Sequence, residues 1–92
     1  MHLGIYRFRG DTDTLLAAYD RMMAAMPEAT PPYVHVCVPD ADGIVIYDTC
    51  PSEEIFRAFS TSDGLREALD AAGMPQPEVT DVPVYNARMA AD

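Results

Sequence analysis

Glycine and proline punctuate this chain so closely that none of its helices or strands can be long. The 92 residues include five glycines and eight prolines, and the longest stretch free of both is residues 11–26. Proline cannot continue a helix or a sheet ladder, and glycine readily ends a helix, so these residues divide the chain into short segments. We therefore expect a single domain, residues 1–92, built around one core.

The first segments alternate between an extended and a helical pattern. His2–Phe8 is rich in aromatic and β-branched residues, which predicts a strand that closes at Gly10. In residues 11–26, capping side chains precede apolar residues spaced three and four apart, which predicts an amphipathic helix. Residues 28–32 contain two prolines and should form a loop.

The next segments predict a hairpin. Tyr33–Val38 and Gly43–Thr49 are both rich in β-forming residues, and the turn-forming residues 39–42 lie between them. They should pair as antiparallel strands.

A second helical region and a last strand complete the chain. Ser52 is a helix cap, residues 60–64 interrupt the helical pattern, and Gly73 ends it, which predicts one kinked helix or two short ones. Val79–Tyr85 should be the final strand, and Pro83 within it indicates a sheet edge or a bulge. The order β-α-β-β-α-β predicts an α+β, ferredoxin-like fold whose four-stranded antiparallel sheet carries the helices on one face.

The two faces of this sheet differ in character. We expect the aliphatic set to pack under the helices: Val34, Val36, Val38, Ile44 and Ile46. The alternate residues are too aromatic for a solvated face: Tyr33, His35, Cys37, Val45 and Tyr47. A second copy laid sheet against sheet would cover them and enclose a lumen, so a homodimer is expected.

Charge and composition limit the partners. The chain carries 15 acidic residues against six arginines and no lysine, a net charge of −9, which argues against nucleic acid as a partner. No apolar run is long enough to cross a membrane and no leader pattern is visible, so we expect a cytoplasmic protein whose two cysteines are reduced. The expected partners are a second copy and a small hydrophobic molecule.

Three stretches carry a resemblance to a known superfamily. They are DGIVIYD at 42–48, SEEIFRAF at 52–59, and AGMPQPEV at 72–79 followed by PVYN at 83–86. Over nearly its whole length the chain resembles the dimeric α+β barrel superfamily and, more narrowly, short actinobacterial proteins. The superfamily includes antibiotic-biosynthesis monooxygenase-like proteins, haem-degrading enzymes, muconolactone isomerase-like proteins and small polyketide cyclases. The resemblance implies βαββαβ subunits that pair through their sheets.

The same resemblance bears on cofactors. The oxygenases of the superfamily often use tryptophan, which this chain lacks, and this weakens the monooxygenase interpretation. The haem-degrading enzymes typically use a helix-borne histidine, whereas His2 and His35 both lie on predicted strands, so haem is not expected. His35 and Cys37 supply at most two metal ligands, so no metal site is predicted. In relatives a histidine often stands where this chain has Tyr85.

His35 is the residue best suited to chemistry. An imidazole in a mostly apolar lumen can move protons at neutral pH, with Tyr33 and Tyr47 as hydrogen-bond donors to developing negative charge. The competing interpretation is a buried histidine bonded to a tyrosine hydroxyl. Four further residues are expected to contact the substrate: Tyr6, Cys37, Val45 and Tyr85.

The other polar candidates have simpler explanations. His2 begins a strand, where fraying is common, and Asp48 lies near a strand end, where it can cap a loop amide or meet an arginine. Arg7 and Arg9 fit a solvated edge better than a ligand site. Cys37 lies in the same phase as His35, but a free cysteine is usually a small buried hydrophobe rather than a nucleophile.

Several functions are compatible with these residues. The first hypothesis is a small cofactor-free enzyme that cyclises or isomerises a hydrophobic, oxygenated molecule, polyketide-like or aromatic, by acid–base chemistry. The alternatives are a non-catalytic barrel that binds a small molecule or docks a partner, a cofactor-independent monooxygenase, and a dimer with a purely structural role.

Overall fold

A computed structural model describes residues 1–26 and 34–88 of the chain. Its elements are β1 His2–Arg9, α1 Thr12–Ala25, β2 His35–Asp40, β3 Gly43–Cys50, α2 Glu53–Ser60, α3 Asp63–Ala72 and β4 Glu78–Pro83. The predicted βαββαβ order is confirmed, and the second helical region consists of two helices.

The four strands form one antiparallel sheet in the order β2-β3-β1-β4, with the helices on one face. The two prolines that lie within strands, Pro39 and Pro83, belong to the edge strands β2 and β4, where a missing ladder donor faces no neighbour. The edge position predicted for the last strand is therefore confirmed. Among the described residues, no helix is long and apolar enough to cross a membrane.

Side-chain caps explain where the helices begin. Asp11, Ser52 and Ser62 each accept a hydrogen bond from the backbone amide three residues on. Because Ser62 starts a new helix directly after the end of α2, the helical region breaks in two there. Gly73 ends α3 in the left-handed conformation, with φ of 81°.

The hydrophobic core lies between the sheet and the helices. Ile44 on β3 and Leu69 on α3 are its most deeply buried large side chains. The cluster around them draws on β1, α1, β3 and α2, and its other members include Phe8, Leu15, Ala18, Met22, Ile46 and Phe56.

The β2–β3 hairpin is tighter than the sequence predicts. The loop is only Ala41–Asp42, because Asp40 already pairs with Gly43 and the ladder continues through Pro39 to His35, which pairs with Asp48. Gly43 has φ of +141°, and a Cβ atom there would lie 2.1 Å from the carbonyl oxygen of Phe8. Glycine is therefore required where the hairpin meets β1.

We expect Gly43→Ala to lower the free energy of unfolding by roughly 2–5 kcal/mol, from backbone strain and the clash with β1. Gly64→Ala is the matched control: Gly64 lies in α3 with open space around its Cα, so alanine should be neutral or stabilise the helix by about 0.5–1 kcal/mol. Urea unfolding of both variants measures the difference. Equal stabilities would contradict this account of the hairpin.

The register of the β2–β3 hairpin shows that the predicted side-chain orientation is right for β3 and wrong for β2. Directly opposite residues in an antiparallel pair point to the same face, and a shift by one residue reverses every side chain. Ile44 and Ile46 face the helices as predicted, but His35 and Cys37 share that face with Asp48 and Ile46. The prediction that the valines of β2 lie under the helices is wrong.

The opposite face, which carries no helix, is called the open face here. It consists of Leu3, Ile5, Arg7, Arg9, Val36, Val38, Val45, Tyr47, Thr49, Thr80, Val82 and the paired acids Asp40 and Glu78. Arg7 lies 2.8 Å from Asp40, and Arg9 lies 3.1 Å from Glu78. The two arginines of the central strand β1 are thus paired with carboxylates of the edge strands β2 and β4, on a face of the sheet and not at its edge.

Candidate active site

A cavity of about 270 Å³ opens between α2 and the sheet. Its lining is mostly apolar: Tyr6, Asp48, Thr49, Cys50, Ile55, Phe56 and Phe59. A smaller recess of about 50 Å³ runs on toward α1 and shares Tyr6, Asp48 and Phe59 with the main cavity. His35, two methionines of α1 and the C-capping Met26 also line the recess. Asp48 and Tyr6 therefore lie where the two spaces meet.

A missing side chain on β1 lets α2 approach the sheet. Gly4 pairs with Asp48 on one side and Asp81 on the other, and a Cβ atom on it would lie 2.5 Å from Cε1 of Phe56. The Phe56 ring consequently packs directly over β1, beside Tyr6 at a centroid distance of 6.2 Å. This ring, together with Ile55 and Phe59, forms the wall of the cavity on the helix side.

Asp48 is the carboxylate in this cavity. Its side chain is 34% exposed, and its Oδ1 lies 2.9 Å from Nδ1 of His35. Burial raises the pKa of Asp48 above its ordinary value, while the hydrogen bond from His35 opposes that rise. Partial desolvation therefore makes Asp48 a stronger base than an exposed aspartate.

Tyr6 provides a hydrogen-bond donor next to this carboxylate. The residue is 5% exposed, and its hydroxyl makes no hydrogen bond to another described residue. Burial, and then the negative charge of Asp48, raise the pKa of Tyr6 well above its usual range, so the phenol keeps its proton. The O–H group is therefore free to donate to an oxygen atom of a bound molecule.

His35 bridges Asp48 to a residue of α1. Its Nε2 lies 2.6 Å from the hydroxyl of Tyr19, and the two rings stack at a centroid distance of 5.8 Å. An ionised carboxylate only accepts hydrogen bonds, so Nδ1 donates to Asp48, and in the neutral ring Nε2 accepts from the Tyr19 hydroxyl.

The structure separates residues that the sequence analysis placed together. His35 lies on the helix face, whereas Tyr47 and Val45 lie on the open face, so the predicted lumen that joins them is wrong. The cause is the two-residue turn, which fixes the register of β2 on β3 and so places His35 opposite Asp48 and Val36 opposite Tyr47. Tyr6, too, faces the helices and not the open face. Tyr33 lies outside the described residues.

Two other predicted substrate contacts do not reach the cavity. Cys37 shares the helix face with His35 but lines neither the cavity nor the recess. Tyr85 follows the end of β4 at Pro83, where it is fully exposed, so the prediction that it lies on a strand is wrong. Cys37 and Cys50 are both free thiols.

His2 is buried rather than frayed. It is 6% exposed, bonds to the carboxylate of Asp81, and lies beside Phe56 at a ring-centroid distance of 5.6 Å. Arg57 on α2 lies 3.7 Å from the same carboxylate and pairs with Glu53. This cluster ties α2 to the central and edge strands β1 and β4.

Sequence analysis missed two members of the site. Asp48 follows Ile44 and Ile46 at every second residue of β3, which indicates that its carboxylate lies on the face under the helices. Its partner His35, however, is predicted on the opposite face. Tyr19 is indistinguishable in sequence from the apolar stripe of α1. Among the described residues, no group of three histidine, cysteine or acidic side chains is placed to hold a metal ion.

Comparisons with known proteins show the fold. No protein-family model and no curated protein matches the chain. A crystal structure of a candidate antibiotic biosynthesis monooxygenase from Deinococcus radiodurans matches with a TM-score of 0.62 at 12% identity, covering 100% of both chains. Another from Chloroflexus aurantiacus matches with a TM-score of 0.57 at 21% identity, covering 97% of this chain and 98% of that one. Both likenesses are of fold, and they confirm the predicted ferredoxin-like α+β fold.

Proposed function

We propose that this protein is a cofactor-independent monooxygenase that oxidises a small, uncharged aromatic molecule with an acidic C–H bond. The observation that carries the proposal is the juxtaposition of Asp48 and Tyr6 at the junction of the cavity and its recess. A base and a neutral donor side by side suit the removal of a proton next to a carbonyl group. The names of the two structural neighbours favour oxygenation over the cyclisation or isomerisation that the sequence suggests.

The proposed reaction begins with proton transfer. Asp48 takes a proton from a methylene group that is activated by a carbonyl, and the Tyr6 hydroxyl donates a hydrogen bond to the oxygen of the resulting enolate. His35 holds the Asp48 carboxylate in place through Nδ1–H. The product of this step is an electron-rich carbanion in an apolar cavity.

Molecular oxygen then acts as the oxidant. The carbanion carbon forms a bond to one oxygen atom of O₂, giving a peroxide anion. The terminal peroxide oxygen takes the remaining hydrogen of this carbon as a proton, the electron pair of that C–H bond forms the carbonyl as the O–O bond breaks, and hydroxide leaves. Hydroxide takes the proton from Asp48 and becomes water, so one methylene group and one O₂ yield one carbonyl and one water. The carbon loses four electrons and O₂ gains them.

The lining of the cavity supports an uncharged substrate. Of the residues in 1–26 and 34–88, no arginine lines the cavity or the recess, and Asp48 would repel a carboxylate or phosphate. Phe56 and Phe59 offer ring surfaces for a flat molecule.

Anthrone tests the proposal, because it is an uncharged, flat molecule whose methylene group lies opposite a ring carbonyl. Under ¹⁸O₂, we expect the protein to form anthraquinone with one ¹⁸O atom at the former methylene carbon, faster than in buffer alone. Tyr6→Phe should slow this reaction about 10²–10³-fold, whereas the matched variant Tyr85→Phe, at a fully exposed residue beyond the end of β4, should keep the wild-type rate. Mass spectrometry of the product and oxygen uptake measure both. Anthrone that binds without oxidation faster than the background would favour the non-catalytic binding barrel instead.

We also propose that a second copy covers the open face. Val36, Val38 and Val82 are each at least 40% exposed there, alongside Leu3, Ile5 and Tyr47. Arg7 and Arg9 pair with Asp40 and Glu78 on this face within one subunit, and this pairing lowers the repulsion between two chains of net charge −9 that meet there. A self-complementary apolar sheet face of this kind fits a twofold dimer.

A further inference from the structure

We propose that the small recess beside the active-site cavity holds molecular oxygen. The inference rests on the proposed function in one respect, namely that O₂ is the oxidant. The recess lies between the sheet and helices α1 and α3, and it meets the cavity at Tyr6, Asp48 and Phe59. It is separate from the larger cavity that the aromatic molecule fills in the proposed reaction, so it stays available to a second reactant.

The size of the recess selects a very small ligand. Its volume is about 50 Å³. A single water molecule needs roughly 10–15 Å³, whereas benzene is held by an apolar cavity of about 150 Å³. The recess therefore accommodates a molecule of a few atoms, such as O₂, but not an aromatic ring.

The lining of the recess favours an apolar molecule over water. Apart from Tyr6, His35 and Asp48, every described side chain that lines it is a hydrocarbon or a thioether. Both ring nitrogens of His35 are engaged in hydrogen bonds, one to Asp48 and the other to the Tyr19 hydroxyl. Water inside a protein typically makes about three hydrogen bonds, and away from the junction with the cavity the described side chains offer none. An apolar molecule loses nothing by entering such a space.

Three methionines form the side of the recess next to α1. Met22 is buried, whereas Met23 and the C-capping Met26 are partly exposed. A methionine side chain is unbranched and has three rotatable bonds, so it gives way to a small molecule more readily than a branched side chain does. This side of the recess offers O₂ a route that does not pass through the cavity under α2.

The position of the recess suits the oxygenation step. The carbon that loses its proton must lie about 3 Å from an oxygen atom of Asp48, and Asp48 borders both spaces. That carbon therefore lies at the junction, and O₂ in the recess is adjacent to the carbanion when it forms. The carbanion carbon then bonds to one oxygen atom of O₂ as described above, and no further reactant is needed.

Nuclear magnetic resonance on the full chain tests the site, because O₂ is paramagnetic and speeds the relaxation of nearby nuclei. With ¹³C-labelled methionine methyl groups, O₂ under pressure should enhance the relaxation of Met23 at least roughly threefold more than that of Met74 or Met1. Met74 is buried outside both spaces and Met1 is 50% exposed, so they report O₂ dissolved in the core and in the solvent. Met23 is the reporter because Met22 and Met26 also border a second groove. Xenon, which is apolar and diamagnetic, should compete with O₂ and lower the enhancement at Met23.

Leu65→Phe tests the location of the site. Leu65 lines the recess but not the cavity, so the larger ring should fill the recess and remove the enhancement at Met23. It should also lower kcat/KM for O₂ about 10-fold while the KM for anthrone stays unchanged. Leu16→Phe is the matched control, because Leu16 is partly buried on α1 and lines neither space. It should keep the wild-type values.

Each outcome decides the inference separately from the proposed function. A Met23 methyl group that O₂ affects no more than Met74 or Met1 overturns it, and so does an enhancement that xenon or a folded Leu65→Phe variant leaves unchanged. The wild-type spectra with and without xenon are decisive even if the variant does not fold. If Met23 responds as expected but anthrone is never oxidised, the recess binds O₂ and the monooxygenase proposal fails. If anthrone is oxidised without any enhancement at Met23, the monooxygenase proposal stands and the recess is not the O₂ site.

Discussion

Asp48→Asn should reduce anthrone oxidation by about 10²–10⁴-fold, the usual contribution of a positioned base. The asparagine carbonyl still accepts the hydrogen bond from Nδ1 of His35, so the architecture of the site is retained while the base is lost. Steady-state oxygen uptake at saturating anthrone measures the effect.

The same substitution should stabilise the fold at neutral pH. Because the pKa of Asp48 is raised in the folded state, the folded chain binds this proton more tightly than the unfolded chain does. The stability that this proton confers is fully present below the ordinary aspartate pKa and is lost as the pH rises through the raised value. Asparagine cannot ionise, so the variant escapes that loss, and the stability gap should close as the sample is acidified.

Thermal unfolding at several pH values, run beside the activity assay, separates the two effects. Asp70→Asn is the control, because Asp70 is exposed on α3 and lies outside the cavity and its recess. It should change neither property. An active Asp48→Asn variant would remove Asp48 from the role of base, and a variant less stable than wild type at pH 7 would show that the carboxylate supports the fold.

Val38→Asp should convert a dimer into a monomer. Val38 is 40% exposed on the open face, opposite Val45, and a carboxylate there would be buried in a sheet-to-sheet dimer, where the nearby Arg7 is already paired with Asp40. An uncompensated buried charge costs about 3–5 kcal/mol, which weakens association at least about 100-fold. Sedimentation velocity at micromolar concentration should show the wild type at twice the 10.1 kDa subunit mass and the variant at the subunit mass.

Ile55→Asp is the matched control for this prediction. Ile55 is 51% exposed on α2, on the other side of the sheet, so the same change of chemistry should leave the dimer intact. Circular dichroism of both variants would verify that they fold. A wild-type monomer, or a Val38→Asp variant that stays dimeric, would show that the open face is not the interface.

The sequence predicts where the helices and strands of this protein lie much better than it predicts which face of the sheet each strand residue occupies. Capping side chains such as Ser52, breakers such as Gly73 and the apolar spacing in α1 act locally, and each helix begins and ends close to where they indicate. The facing of β3 is also predictable, because two isoleucines alternate with more polar neighbours. In β2 the alternation misleads, since valines occupy the open face and His35 and Cys37 the packed one.

The site depends on which face of the sheet the side chains of β2 occupy and on contacts between residues far apart in the chain. The chemistry of the imidazole is enough to single out His35, but its partners can be named only once the hairpin register brings it opposite Asp48. Tyr19 is 16 residues away along the chain and looks like any aromatic residue of an amphipathic helix. Tyr6 is predictable as a site residue, but whether it or Arg7 faces inward depends on the pleat of β1, which sequence alone leaves open.

The length of the two-residue turn at Ala41–Asp42 therefore determines which side chain of β2 lies beside Asp48. His35 lies five residues before Asp40, about 17 Å along the strand. Inserting one residue into the turn in a way that shifts the pairing of β2 by one place would carry the imidazole to the far surface and bring a valine beside Asp48. Natural variants of this hairpin should therefore tolerate substitutions at the turn more readily than a change of its length by one.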